Sequence, residues 1–257
     1  MDMKWGKMVA DLSEVQRAAS DGFDFVQPVR ELAAGLGDEQ AAGRKARGLD
    51  SGLPCEVCAL PLPAEVRVTQ KGFNLYVWIE YLKNALDPLA GLGCRKLIWS
   101  DGRARVLPVE GEIGALKEQA LQFLYLLCEA AANVGMSVLV EPLGPRRTNF
   151  LNSMKEVSDF LPRVGKENLS ALISLRELEP IGLSVPDLAT YRQLIDHVHM
   201  DNPLACGAAR ICPRPNDGYE YRPFVQALKE MGYSALISLP GDADAGALAY
   251  CRALWKG

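Results

Sequence analysis

Residues 113–142 read IGALKEQALQFLYLLCEAAANVGMSVLVEP, and the order of signals in that stretch decides the fold. Ile113–Asn133 carries apolar residues at helical spacing for nearly six turns. Gly135 follows, where a helix ends in a left-handed residue. Ser137–Glu141 is then a short β-type apolar run that closes on a carboxylate and Pro142. The unit is helix, glycine, strand, and it recurs in both directions.

Upstream, Met3–Val9, Phe23–Val29, Pro54–Leu60 and Arg95–Ser100 read as strands. Downstream, Asn168–Ser174, Ile195–Met200 and Ala235–Leu239 do the same. The predicted helices are Leu12–Ser20, Glu31–Arg47, Leu75–Leu89, Ile113–Asn133, Ser153–Leu161, Pro186–Gln193, Tyr221–Met231 and Ala243–Trp255. Gly22, Gly93, Gly135 and Gly232 each stand between a helix and a strand, and Ser153 with Glu156 forms a capping-box pattern. Eight strands, each followed by a helix, in 257 residues make an α/β chain of the (β/α)8 TIM barrel type, one domain over residues 1–257. A doubly wound open sheet would carry a glycine-rich first turn, and here that turn is Val9-Ala10-Asp11-Leu12.

Composition narrows the function. Twenty-eight Lys and Arg against 32 Asp and Glu leave a formal charge of −4, which argues against a dedicated nucleic-acid binder. No run approaches the ~18 apolar residues of a membrane span. The N-terminus lacks the basic-then-apolar layout of a secretory signal. Seven cysteines without a framework spacing point to reduced thiols and a cytoplasmic setting. Cys55-Glu56-Val57-Cys58 looks like a metal or redox motif, but inside a strand its two thiols would face opposite ways. Cys206 and Cys212 read as plain loop thiols near the mouth.

In a barrel the active residues lie at the C-terminal ends of strands. That rule selects Gln27, Asp101, Arg103, Glu141, Ser174, Glu177, His199, Asp201, Pro240 and Asp242. Glu141 ends its strand as a carboxylate able to hold a metal or move a proton. The only two histidines, His197 and His199, share one face of their strand, with His199 nearer the mouth. Arg103, Arg105, Arg210 and Arg214 suit an anionic ligand. The 19-residue loop 202–220 is long enough to be functional.

These residues carry a resemblance. Gly22–Val26, Ser100-Asp101-Gly102-Arg103-Ala104-Arg105-Val106-Leu107-Pro108, Glu141-Pro142-Leu143 with Thr148–Asn152, His197–Asp201, Asp217–Phe224 and Ala227–Tyr233 together resemble the xylose isomerase-like TIM-barrel family. That family holds sugar phosphate isomerases and epimerases and the AP endonuclease 2-type proteins. The resemblance implies a divalent metal (Mn, Mg or Zn) held by a Glu after strand five, an Asp after strand six, a His after strand seven and a Glu after strand eight. Two glutamates would then shuttle a proton next to a carbonyl. Glu141 and His199 match two ligands. Ser174 stands where the Asp is expected, Pro240 where the second Glu is, and Glu177 where a substrate-side His is. Gln27 replaces an acidic residue after strand two.

Three expectations follow. The chain is a sugar or sugar-acid isomerase/epimerase whose metal site is degraded, with Glu141, His199 and Glu177 catalytic. Its substrate contacts would be Arg103, Arg105, His197, Asp201 and Arg214, and Glu177, Asp201 or Asp242 would replace the lost carboxylates. Alternatively it is a metal-independent enzyme using Glu141 and His199 as acid and base. As a third reading it is an inactive barrel that binds a sugar-like ligand or a protein partner. No nucleic acid and no membrane are expected as partners, and the resemblance implies a homo-oligomer.

Overall fold

The computed structural model describes residues 3–36, 52–205 and 209–257. Its strands are β1 (Lys4–Val9), β2 (Phe25–Pro28), β3 (Val57–Ala59), β4 (Lys96–Trp99), β5 (Ser137–Val140), β6 (Leu169–Ser174), β7 (Ile195–His199) and β8 (Leu236–Leu239). All pair in parallel, in the order β2-β1-β8-β7-β6-β5-β4-β3. The remaining seam lies between β2 and β3, where Val26 N–H donates to the Pro54 carbonyl at 3.0 Å. The result is a nearly closed barrel.

Helices α1 (Ser13–Asp21), α2 (Arg30–Leu36), α3 (Leu75–Gly91), α4 (Ile113–Asn133), α5 (Met154–Val164), α6 (Arg222–Glu230) and α7 (Ala245–Lys256) occur between the strands or after β8. Their ends are set by short-range chemistry. Asn74, Ser153 and Asp244 accept from the backbone N–H of Val77, Glu156 and Ala247 at 3.2, 3.1 and 2.8 Å. Glu156 also accepts from Asn152 N–H at 2.8 Å, so its side chain reaches back to the helix entrance. The predicted glycines Gly22, Gly93, Gly135 and Gly232 all have φ between 72 and 93°.

The predicted short helix Pro186–Gln193 is a 3₁₀ helix over Pro186–Tyr191. Of the predicted helix Glu31–Arg47, residues after Leu36 lie outside the described residues, as does Cys206. One reading needs correction, that of the Cys55–Cys58 pair. Strand β3 begins at Val57, so Cys55 precedes it and strand alternation does not separate the pair. Cys55 and Cys58 both turn to Cys94, with Cys58 Sγ 3.1 Å from Cys94 Sγ.

Strand alternation sorts the core into two compartments. Val26, Cys58, Leu97, Trp99, Val138, Val140, Ile173, Val198 and Ile237 face the helices. Their neighbours Phe25, Val57, Ile98, Leu139 and Leu172 point inward and pack with Leu236 as an apolar floor. Two residues further along these strands the inward positions turn polar. Gln27 follows Phe25, Glu141 follows Leu139 and Ser174 follows Leu172. Ser174, His199 and Ser238 lie in register across β6, β7 and β8. Sequence period therefore places Gln27, Glu141, Ser174 and His199 on one polar layer above a dry floor.

The floor depends on Gly6. A Cβ there would lie 2.1 Å from Cε2 of Phe25, whose side chain is fully buried. Gly6→Ala is expected to cost about 2–3 kcal/mol in urea unfolding, because the ring has nowhere to go. Adding Phe25→Leu to it should recover much of the loss. Equal stability of Gly6→Ala and wild type would show that the floor is not packed this way.

Candidate active site

Glu141 sits just past the end of β5, fully buried. Its Oε1 lies 4.0 Å from Nδ1 of His199, at the end of β7. The two residues singled out from strand ends thus do meet. Asp201, two residues past β7, is also fully buried. Its carboxylate accepts from Ser174 Oγ at 3.2 Å and from Arg176 N–H at 3.0 Å.

Between these groups lies a side chain that the sequence suggested only as a loop cation. Arg210 Nη2 donates to Glu141 Oε1 at 3.0 Å. Its Nη1 donates to Asp201 Oδ2 at 2.5 Å and to Ser174 Oγ at 2.6 Å. Burial pulls the guanidinium pKa down, but Glu141 and Asp201 together raise it above the ordinary arginine value. Arg210 is therefore a permanent cation. Glu141 responds in the opposite sense. Desolvation raises its pKa, and Arg210 and Arg147 only partly oppose that. Its Oε2 has no hydrogen-bond partner among the described residues.

Both histidines are neutral bases. Burial lowers the pKa of His199 well below the usual value, and the Arg210 charge adds to this. Burial does the same to His197, with Lys96 contributing. Gln27 ties the rings together, with its amide 3.1–3.2 Å from His199 Nε2 and its Oε1 3.3 Å from His197 Nε2. His197 Nε2 is also 3.1 Å from Ser238 Oγ. Pairing in register with Leu172 and Leu236, His197 belongs to the floor and does not line the cavity above.

The other candidates are dispersed. Glu177 accepts from Arg147 at 2.9 Å and from Gly144 N–H at 3.1 Å, which ties it to the loop after β5. Arg105 is fully buried, donates to the Glu141 carbonyl and stacks 5.5 Å over Trp99. Desolvation lowers its pKa to about 10. Its place is under Glu141 rather than in the cavity. Arg214 pairs with Asp244 at 3.1 Å, and Asp242 accepts from Cys212 N–H at 2.9 Å. Neither Arg214 nor Asp242 lines the cavity. Asn149 accepts from Leu107 N–H and donates to the Leu107 carbonyl, both at 2.8 Å, so the Thr148–Asn152 stretch fastens one mouth loop to another.

A cavity of about 520 Å³ opens above the polar layer, with His199, Arg210 and Gln27 in its wall. Five arginines (Arg30, Arg103, Arg146, Arg147 and Arg210) line it against Glu31 and Asp101, so its field favours an anion. Sequence reasoning missed Arg30, Arg146 and Arg147 as lining residues. They stand in loops or at a helix start, where no periodicity marks direction.

The donor set does not fit a divalent metal. Ser174 and Pro240 offer no carboxylate, and Glu141 Oε1 and Asp201 are engaged by the Arg210 guanidinium. Among the described residues no three His, Cys, Asp or Glu side chains converge to hold an ion. A double charge about 4 Å from the guanidinium would meet a repulsion of about 8 kcal/mol at an effective dielectric near 20.

The neutral histidines make stability depend on pH. An unfolded histidine takes up a proton below about pH 6.5, while the buried ring stays neutral. The unfolded state then binds more protons, so stability falls as pH drops through that value. Near pH 5.5 each such histidine costs about 1.4 kcal/mol relative to alkaline pH. The raised pKa of Glu141 works against this as the pH falls further. His197→Gln, which keeps a polar atom near Nε2, should lose less stability than wild type between about pH 7.5 and pH 5.5. Parallel urea midpoints for the two proteins would contradict a neutral buried His197.

The architecture has known counterparts. A family model described as xylose isomerase-like TIM barrel matches residues 15–248. A D-psicose 3-epimerase from Clostridium cellulolyticum H10, solved with D-tagatose, superposes with a TM-score of 0.81 at 14% identity, covering 98% of this chain and 99% of that one. A 3-keto-D-glucoside 4-epimerase from E. coli gives 0.75 at 15% identity over 99% and 98% of the two chains. A family 2 AP endonuclease from Brucella melitensis gives 0.72 at 17% identity over 96% and 97%. No curated protein sequence matches the chain. With the family model spanning most of its length, the chain belongs to the xylose isomerase-like TIM barrel family.

Proposed function

We propose that the protein binds a polyhydroxy anion, a sugar acid or a related carbohydrate, and moves a proton on a carbon next to its carbonyl. The observation that carries this is the pairing of His199 and Glu141, 4.0 Å apart, at the base of a cavity lined by five arginines and two acids. His199 lines the cavity as a neutral imidazole and takes the proton from the ligand. Glu141 lies behind it, with its pKa raised by burial, and stabilises the imidazolium that forms. Arg147, held by Glu177, stands at the rim of the cavity. Structural neighbours that are sugar 3- and 4-epimerases support this class of reaction.

A second reading is a barrel that binds the same ligand without turnover. It is favoured by the complete burial of Glu141, which does not line the cavity.

Hydrogen–deuterium exchange at the carbon beside the carbonyl, followed by proton NMR in heavy water, separates the two. Ketohexoses and 2-keto sugar acids are the probes. Wild type should exchange that proton, and His199→Gln and Glu141→Gln should each slow exchange by about 10²-fold or more. Exchange retained in both variants would remove their roles. Binding of a keto acid without any exchange would establish the second reading instead.

A further inference from the structure

The position and partners of Arg210 carry a conclusion about what balances the buried charge. We propose that its guanidinium is the resident cation of the site, supplied by the chain itself in place of a divalent metal. The proposal concerns the same site as the proton-transfer reading, but its structural half holds whether or not the barrel turns over substrate.

Three observations converge on it. The first is placement. The guanidinium touches Glu141 from the end of β5, Ser174 from the end of β6 and Asp201 just past β7, so one group spans three strand ends. His199, which completes the ring of polar groups, stands 4.0 Å from the carboxylate oxygen that Arg210 binds.

The second is anchoring. Arg176 Nη1 donates to the Ala209 carbonyl at 2.9 Å, and Asn202 N–H donates to the Ile211 carbonyl at 2.7 Å. Cys212 N–H is held by Asp242 at 2.9 Å. The backbone on both sides of Arg210 is therefore fastened, and its side chain enters the barrel from a fixed base rather than from a wandering loop.

The third is charge. The resemblance implies three carboxylates, a neutral imidazole and a doubly charged ion, a sum of −1. In this chain Ser174 and Pro240 remove two carboxylates, Asp201 supplies one beside Glu141, and the cation carries a single charge. The sum is again −1. The net loss of one carboxylate and the lower cation charge compensate each other, and a divalent ion added beside the guanidinium would leave the site over-neutralised.

The consequence for ligands is direct. The Arg210 side chain is 19% exposed and lines the cavity, so it meets the ligand oxygens that a metal would otherwise meet. A guanidinium presents parallel N–H groups, which match a carboxylate or two neighbouring oxygens of an enediolate.

The test begins with the unaltered protein. After dialysis against EDTA, Mn²⁺ titrated by calorimetry should bind at less than about a tenth of an equivalent and leave the melting temperature within ~1 °C. Stoichiometric Mn²⁺ binding with a rise in melting temperature would overturn the proposal. Arg210→Ala should melt about 10 °C lower, because Glu141 and Asp201 lose their counter-charge. Methylguanidinium at roughly 10 mM should restore at least about half of that, saturably, whereas methylammonium should not. An alanine variant that melts like wild type, or rescue by both cations alike, would refute the role. Should Arg210→Ala not fold, Arg210→Lys serves: it keeps the charge but not the two-pronged reach, and a lowered melting temperature supports the proposal while an unchanged one overturns it. These readouts do not involve turnover, so a failure of proton exchange in Glu141→Gln or His199→Gln experiments leaves them intact, and the reverse holds equally.

Discussion

Two fully buried carboxylates, Glu141 and Asp201, share one guanidinium, and the polar end of the barrel is arranged around that contact. Removing an ion from water costs several kcal/mol even after relaxation, so neither carboxylate is stable there as an isolated charge. Arg210 can answer both because its fork is planar and delocalised and its nitrogens point in fixed directions. A cluster of this kind adds little net stability compared with an apolar plug of the same size. What it adds is position. It fixes the ends of β5, β6 and β7 relative to the loop that follows β7.

The apolar floor makes this arrangement affordable in geometric terms. Phe25, Val57, Ile98, Leu139 and Leu172 close the barrel below the polar layer. Water is thereby kept on the mouth side, and the dielectric beneath Glu141 stays low. The same dryness holds His197 and His199 neutral and drives the Glu141 pKa upward. Gln27, bonded to both rings, supplies the hydrogen bonds that water would otherwise have given. An acidic residue at that position would favour charged imidazoles. A neutral amide leaves them as bases.

Much of the fold was legible because it rests on periodicity. The α4 helix begins and ends where its apolar spacing does, and glycine and capping signals mark the neighbouring boundaries. Glu141 and His199 were legible for a related reason. Strand alternation and the strand-end rule specify direction as well as place. The positions that sequence reading misplaced are those governed by neither rule. Arg105 lies only two residues from the cavity-lining Arg103, yet its side chain turns under Glu141. Cys55 joins Cys58 at Cys94 because β3 starts three residues later than the predicted strand. Arg210 stands eleven residues beyond His199 in an irregular loop, and no spacing rule tells which loop cation will enter the barrel.

The site also shows one chemical preference at successive depths. Arg210 joins Glu141 and Asp201 at the base, Arg147 joins Glu177 beside the loop after β5, and Arg30 joins Asp101 at the rim. At the base Arg210 lies between Glu141 and Asp201, and the buried Arg105 lies under Glu141, so two cations face two acids. Along the cavity wall the arginines outnumber the acids, five to two. The local charge is therefore positive along the wall and close to balanced at the base, and the fixed, paired charges of the base leave the excess of positive charge facing the cavity.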